Sequence, residues 1–267
     1  FARRHNLDLA QDALQSSGSV LTFELDAVQI EDLARFGGST VRGIELYQEM
    51  TPDGELPAAR AANMVASGVD PWAFDNPLTL GNEVGVYFTD EGCPDADEID
   101  GSYTRLSGTS APHGVEVGEI IRDVSPESSM YCRDGWVPPT LEDLTTLSPP
   151  IEVVTRSGTI KGQLSYGTSD RDFDDFVYDE LIPWFNSAGN QGASDPAGSG
   201  VIGLVGGGGQ GLNVITVGNY FEDTDTVSAD SSWLDPSTGN NKPEIVAPGA
   251  WTSWTTPHAA AFAVDVM

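Results

Sequence analysis

The stretch from residue 81 to residue 267 alternates short apolar runs with longer amphipathic ones, and this alternation limits the fold more than any other feature. Val84 to Phe88 and Val214 to Gly218 are apolar and have the length of buried strands. Other apolar residues recur every three or four positions, as in a helix packed on a core: Val117, Ile120, Ile121 and Val124. Strands that alternate with helices form parallel sheets. The sequence therefore predicts an α/β domain with a parallel sheet flanked by helices on both faces.

Residues 1–70 have a different pattern and are predicted to form a small β-α-β segment. Val20 to Leu25 and Val41 to Tyr47 alternate like strands, and Val28 to Phe36 has helical spacing. We therefore predict two domains, an N-terminal segment over residues 1–70 and the α/β domain over residues 71–267.

The charge of the chain limits its partners. The sequence has 41 acidic and 12 basic residues, which gives a net charge of −29. This balance excludes nucleic acid as an expected partner and indicates a strongly solvated surface. The only lysines are Lys161 and Lys242, a pattern typical of salt-rich habitats and equally of GC-rich genomes. The sequence shows no transmembrane run and no internal repeat.

Two candidate catalytic residues lie next to predicted elements. Asp90 follows the strand Val84 to Phe88, at the carboxyl end where open α/β sheets bind ligands. The alternative is an aspartate that only caps the turn before Gly92. His113 stands at the start of the predicted helix that contains Val117, and the alternative there is an ordinary surface histidine.

Two further motifs follow predicted elements. The strand-like run Thr159 to Leu164 continues into a Ser-Tyr-Gly motif, Ser165 to Gly167. A helix predicted over Phe173 to Trp184 ends at an Asn-Gly-rich motif that contains Asn190. Taken alone, each motif is also typical of an ordinary turn.

The stretch Thr252 to His258 carries a candidate nucleophile. Ser253 lies one turn before Pro257, a residue that favours the first turn of a helix. Free amides at a helix N-terminus point towards negative charge, such as the charge that develops on a bound carbonyl. The alternative is a serine that only caps the helix.

Together these motifs resemble those of the subtilisin-like serine proteases. They occur in that family's order: Asp90, His113, Ser-Tyr-Gly, Asn190 and Ser253. The run from Lys242 to Gly249, Lys-Pro-Glu-Ile-Val-Ala-Pro-Gly, closely matches the strand that precedes the serine loop in the family.

The resemblance implies a serine endopeptidase that hydrolyses peptide or protein substrates. It assigns the catalytic triad to Asp90, His113 and Ser253, and the oxyanion donor to Asn190. It assigns contacts with the substrate backbone to Ser165, Tyr166 and Gly167. No cofactor or metal site is implied, and structural calcium is not readable from the sequence.

The resemblance also bears on the N-terminal segment and the cysteines. Residues 1–70 resemble part of the prodomain that precedes many of these proteases, which would make them an intramolecular inhibitor; the alternative is a structural extension. An exported enzyme keeps its disulfides, so Cys93 and Cys132 are predicted to form one, in a secreted or cell-surface protein.

Two departures from the family leave a second function open. Only Ala250 and Trp251 separate Gly249 from Thr252, where the family has a longer loop that ends in glycine. The sequence also stops at Met267, inside the predicted helix. Either residues are missing at both places, or the site is degenerate. The alternative function is a subtilisin-like protein that binds peptides without cleaving them.

Overall fold

The computed structural model describes residues 15–17, 20–22, 80–195, 200–221, 224, 226–235 and 238–267. The chain divides into two compact units, Phe1–Met50 and Thr51–Met267. In the first unit, β1 (Gln15–Ser17) pairs with β2 (Val20–Thr22) in an antiparallel hairpin.

The start of the strand predicted from Val20 is therefore confirmed, and its partner β1 was not predicted. The predicted helix over Val28 to Phe36, the strand over Val41 to Tyr47 and the domain boundary near residue 70 lie outside the described residues.

The second unit contains one eight-stranded sheet and four helices within its described residues. The strands are β3 (Gly85–Asp90), β4 (Tyr103–Arg105), β5 (Ser129–Asp134), β6 (Ile151–Arg156), β7 (Trp184–Ser187), β8 (Ile215–Phe221), β9 (Thr226–Val227) and β10 (Ile245–Pro248). The helices are α1 (Pro112–Val124), α2 (Leu141–Thr146), α3 (Thr168–Glu180) and α4 (Thr252–Asp265). No helix among the described residues is both long and apolar enough to cross a membrane.

The sheet is parallel except at one short strand. Its order is β10-β8-β7-β6-β3-β5-β4, and β9 pairs antiparallel with β8. The carboxyl ends of the seven parallel strands therefore lie along one edge, where α/β sheets bind their ligands.

Two hydrophobic cores, one on each face of the sheet, fix the positions of the helices. All six residues of β3 are buried, and alternate side chains point to opposite faces. Val86 and Phe88 pack in the core that contains residues of α1 and α4. Tyr87 packs in the second core, with Trp184 of β7 and Phe173 of α3. The predicted sheet with helices on both faces is confirmed.

Several predicted bounds were wrong because buried side chains and proline override local periodicity. The helix predicted to reach Trp184 ends at Glu180, since Leu181 adopts a left-handed φ of 58° and Pro183 cannot continue a helix. Trp184 instead enters the sheet as the first residue of β7, where its ring stacks 4.2 Å from Phe173. Asn190 therefore follows a strand, not a helix.

One predicted strand is reduced to a single bridge. Within Thr159 to Leu164, only Ile160 pairs, in an antiparallel bridge with Gly207. Gly162 adopts a left-handed φ of 70°, and the side chains of Ile160 and Leu164 are exposed, so this segment is a surface loop.

Candidate active site

Asp90 and His113 meet at the carboxyl edge of the sheet. Asp90 is the last residue of β3 and is fully buried, and its Oδ1 lies 2.7 Å from Nδ1 of His113. His113 is the second residue of α1, which begins at Pro112. The helix approaches the Asp90 loop closely because Gly114 has no side chain: a Cβ there would come within 2.0 Å of the carbonyl oxygen of Gly92.

The hydrogen bond sets the protonation of the pair. It raises the pKa of His113 above its ordinary value, since the carboxylate stabilises the imidazolium. Burial raises the pKa of Asp90, while the bond to His113 and the 2.8 Å bond from the Glu91 amide oppose that rise. An imidazole held by a buried carboxylate at Nδ1 presents Nε2 as a base.

Ser253 lies in the first turn of α4, which packs against α1. The next residue, Trp254, donates from its indole Nε1 to Glu116 of α1 at 3.1 Å. Because Glu116 is one turn after His113, this bond places the first turns of the two helices side by side. Within the described residues, no hydrogen bond joins Ser253 to His113.

The helix that carries Ser253 begins earlier than the sequence predicted. Trp251 is its N-cap, and Pro257 lies inside the helix instead of opening it. Thr252, Ser253 and Trp254 therefore form the first turn, in which the N–H groups of Thr252 and Ser253 have no acceptor within the helix, whereas that of Trp254 donates to the Trp251 carbonyl at 3.0 Å. The serine is placed at the helix N-terminus as expected, although the proline does not mark that end.

The loop after β7 brings Asn190 to the residue before Ser253. Asn190 Oδ1 accepts hydrogen bonds from both the backbone N–H and the hydroxyl of Thr252, each at 3.0 Å. The Thr252 hydroxyl in turn accepts the Gly189 N–H at 3.2 Å. With Oδ1 occupied by two donors, the Nδ2 amide is the end of Asn190 that remains to donate to a ligand.

The connection from β10 to α4 is short, and hydrogen bonds from Asn219 hold it in place. Asn219 Nδ2 donates to the carbonyl oxygens of Gly249 and Ala250, each at 3.1 Å. Trp251 is 44% exposed, so its ring is not packed into the core beside the serine. The bulky residue in the place of the family's glycine is therefore accommodated at the surface.

The predicted substrate contacts at Ser165, Tyr166 and Gly167 are not at a strand end. The Ser165 carbonyl accepts from Gln163, the Tyr166 hydroxyl donates to Asp174, and Gly167 is the N-cap of α3. These groups bind within the chain, and their role towards a substrate stays a prediction.

On its other side from β5, β3 pairs with β6, which ends at Arg156 opposite Thr89, and the residues that follow β6 are Ser157 and Gly158. The sequence alone did not point to Ser157 and Gly158, because the Ser-Tyr-Gly motif that resembles the family's lies at Ser165 to Gly167. The signal was their position directly after the strand Ile151–Arg156, whose residues Val153 to Arg156 are buried.

The predicted disulfide is confirmed and lies next to the candidate site. Cys93 and Cys132 are bonded, with Cα atoms 5.7 Å apart. The bond ties the loop after Asp90 to β5, across a separation of 39 residues.

Replacing both cysteines with alanine should lower the free energy of unfolding by about 2–4 kcal/mol, because the closed loop restricts the unfolded chain. Urea titration of the wild type and the double variant at pH 7 measures the difference. Two free thiols in the denatured, unreduced wild type would contradict the bond itself.

Among the described residues, no group of three or more His, Cys, Asp or Glu side chains is arranged to hold a metal ion.

Comparison with known proteins agrees with this geometry at the level of the fold. No family model and no curated protein matches the sequence. Solved structures do match. The CspB protease of Clostridium perfringens has 12% identity and a TM-score of 0.54, covering 77% of this chain and 86% of that one. A lanthipeptide protease has 15% identity and a TM-score of 0.53, covering 80% and 81%.

A third match is the epidermin leader peptide processing serine protease (EpiP) from Staphylococcus aureus, with 13% identity and a TM-score of 0.52, covering 82% of this chain and 73% of that one. TM-scores of this size establish a shared architecture, whereas at these identities the catalytic residues have to be argued from the site. With its mostly parallel sheet and helices on both faces, the described chain has the fold of the subtilisin-like proteases.

Proposed function

We propose that the chain is a serine endopeptidase that hydrolyses peptide bonds with Ser253, His113 and Asp90. The observation that carries the proposal is the 2.7 Å hydrogen bond between Asp90 and His113, at the sheet edge beside the first turn of α4. A buried carboxylate that orients an imidazole next to a helix-terminal serine is the arrangement that activates a hydroxyl.

In the proposed reaction, Ser253 Oγ attacks the carbonyl carbon of the substrate while His113 Nε2 takes the hydroxyl proton. Asp90 holds the imidazole by Nδ1 and stabilises its charged form. The proton then passes to the leaving amine as the C–N bond breaks, which leaves an acyl-enzyme that water hydrolyses by the same steps. The Nε2–Oγ hydrogen bond would form with substrate bound, as catalytic hydrogen bonds often do.

Asn190 would stabilise the oxyanion together with the Ser253 amide. Its Nδ2 is oriented because Thr252 occupies Oδ1, and the Ser253 N–H lies in the first turn of α4. Donors fixed before the reaction need no reorganisation when the charge develops.

The substrate would be a peptide in extended conformation across the carboxyl ends of the strands. Ser157 and Gly158 are proposed to pair with its backbone, since they continue β6 beyond the sheet. The disulfide supports a secreted or cell-surface location. The N-terminal segment, residues 1–70, is proposed to act as an intramolecular prodomain, a role that rests on its sequence pattern.

Labelling with a fluorophosphonate tests the proposed nucleophile. We expect one adduct per chain on Ser253, seen by intact mass and peptide mapping, and none in Ser253→Ala. Because His113 acts as a base only when neutral, labelling should slow as the pH falls through its raised pKa. Absence of the adduct at all pH values would favour the alternative, a protein that binds peptides without cleaving them.

A further inference from the structure

Arg156 is a buried cation at the carboxyl end of β6, and the proposed catalytic steps do not use it. It pairs in register with Thr89 of β3 and with Asn186 of β7. The residue after Thr89 is Asp90, and the loop after β7 carries Asn190. Arg156 therefore lies between the strands that supply the two ends of the candidate active site.

The guanidinium has few partners for a charge that is only 3% exposed. Its Nη1 donates to the Asn186 side chain and to the Gly207 carbonyl, both neutral acceptors at 3.3 Å. Nε has no partner among the described residues, and no carboxylate there forms an ion pair with Arg156. The charge of Asp170 acts on Arg156, but this carboxylate already accepts three backbone N–H groups, from Gly167, Gly208 and Gln210.

Burial is unfavourable for the guanidinium, and it lowers the pKa of Arg156 to about 10 although the charge of Asp170 opposes that shift. Buried charges in proteins are normally paired, and an arginine fork binds a carboxylate through two parallel hydrogen bonds. The unused donors of Arg156 therefore match a carboxylate ligand.

The surroundings of Arg156 favour a planar ligand that approaches edge-on. Cζ lies 5.4 Å from the ring centre of Trp136 and 5.0 Å from that of Phe173. A Cβ at Gly208 would come within 1.9 Å of Nη1, so only glycine permits this approach of the backbone. Two rings over the guanidinium leave its N–H edge as the part available to a ligand.

Three backbone segments meet beside Arg156, and each adjoins the proposed substrate path. Ile160 exchanges two backbone hydrogen bonds with Gly207, at 3.2 and 2.8 Å, and Gly206 donates to the Ala188 carbonyl at 3.0 Å. The segment before Ile160 continues β6, and the segment after Ala188 carries Asn190. A peptide whose carbonyl is held by Asn190 would direct the side chain of that residue towards these segments.

We propose that Arg156 binds a carboxylate of the substrate, namely the side chain of glutamate or aspartate at the residue before the cut. This specificity rests on the proposed function. The net charge of −29 repels acidic peptides. A preference for an acidic residue therefore has to come from a specific contact such as Arg156, which makes the proposed specificity testable.

Peptide binding to the Ser253→Ala variant tests this inference without catalysis. The first probe is acetyl-Ala-Ala-Ala-Glu-Ala-Ala-amide, and the second has Gln in place of Glu. The third probe ends at the Gln residue with a free C-terminal carboxylate. It shows whether Arg156 binds a side-chain carboxylate or the carboxylate of the peptide terminus. Isothermal titration calorimetry at pH 7 gives the three dissociation constants.

We expect the Glu peptide to bind at least about tenfold more tightly than either Gln peptide, the strength of a charge-assisted pair. Arg156→Met in the same background should bring the Glu to Gln ratio to one or below. Arg156→Lys keeps the charge but loses the fork, and it should give an intermediate ratio. If the Met variant fails to fold in a thermal melt, the Lys variant carries the test.

Arg133→Met is the matched control. Arg133 lies in β5, which β3 separates from β6 in the sheet, and it already has a carboxylate partner, Asp143, at 2.7 Å. Its loss changes the net charge by the same amount and should leave the Glu to Gln ratio unchanged.

Equal affinities for the Glu and Gln peptides when Arg156 is present would overturn the inference, as would a preference that survives Arg156→Met. Tighter binding of the third peptide would assign the carboxylate to the terminus and overturn the side-chain specificity. Because binding is measured on an inactive variant, these outcomes are independent of fluorophosphonate labelling, which tests the proposed function.

Discussion

Replacing Ser253 with alanine should lower kcat for peptide hydrolysis by on the order of 10⁶, the magnitude known for loss of the subtilisin nucleophile. The effect is large because Asp90 and His113 act on the substrate only through the serine hydroxyl. What remains is the smaller contribution of binding and of the oxyanion donors.

The stability of the fold should not depend on this change. Ser253 Oγ forms no hydrogen bond within the described residues and is partly exposed, so its removal leaves no buried group unsatisfied. We expect the free energy of unfolding to change by less than about 0.5 kcal/mol. The two measurements, kcat and urea titration, then separate a catalytic from a structural role.

Ser169→Ala provides the matched control for a serine in the first turn of a helix. Ser169 is the second residue of α3, as Ser253 is the second residue of α4. Its substitution should leave kcat unchanged. Hydrolysis by Ser253→Ala at the wild-type rate, in a preparation of verified mass, would remove Ser253 as the nucleophile.

Features set by local sequence could be predicted. Asp90 was placed correctly because an apolar run of strand length leads directly into it. His113 was placed correctly because the apolar spacing after it marks the start of a helix. The disulfide could be predicted because Cys93 and Cys132 are the only two cysteines of a sequence that resembles an exported enzyme.

Features set by packing between distant segments could not be predicted. The end of α3 depends on Trp184, which is buried in the sheet against Phe173 despite its helical spacing in the sequence. Ser157 and Gly158 gain their place beside the site from the pairing of β6 with β3, which no motif records.

The same limit applies to the link between Asn190 and Thr252. It joins residues 62 apart in sequence, yet it orients the amide that the oxyanion would meet. Motifs therefore located the candidate residues, whereas their orientation came from the tertiary structure.

Asp90→Asn should lower kcat by about 10⁴, the effect of the same change in the trypsin triad. Asparagine has the shape of aspartate, but its amide donates to His113 Nδ1 and so favours the tautomer that carries the proton on Nε2. That tautomer does not accept the proton of Ser253. The change thus removes the base and leaves the geometry in place.

The pH dependence of kcat/KM provides a second test of this prediction. In the wild type, the bond to Asp90 raises the pKa of His113, and activity is lost as the pH falls through that raised value. Without the carboxylate, the pKa of His113 falls. The acid limb of kcat/KM for Asp90→Asn should therefore move to lower pH, while the plateau drops.

Asp134→Asn is the control that separates the hydrogen bond from the charge. Asp134 ends β5 and pairs in register with Asp90, so the substitution Asp134→Asn removes one negative charge from the same edge of the sheet. We expect its kcat and its acid limb to match those of the wild type. An equal loss in both variants would attribute the effect to the general field, and a loss below about tenfold in Asp90→Asn would mean that Asp90 does not set the tautomer of His113. A large loss confined to Asp90→Asn, with the shifted acid limb, is the result that only an orienting carboxylate produces, because neither a weakened fold nor a changed net charge moves the two quantities in that way.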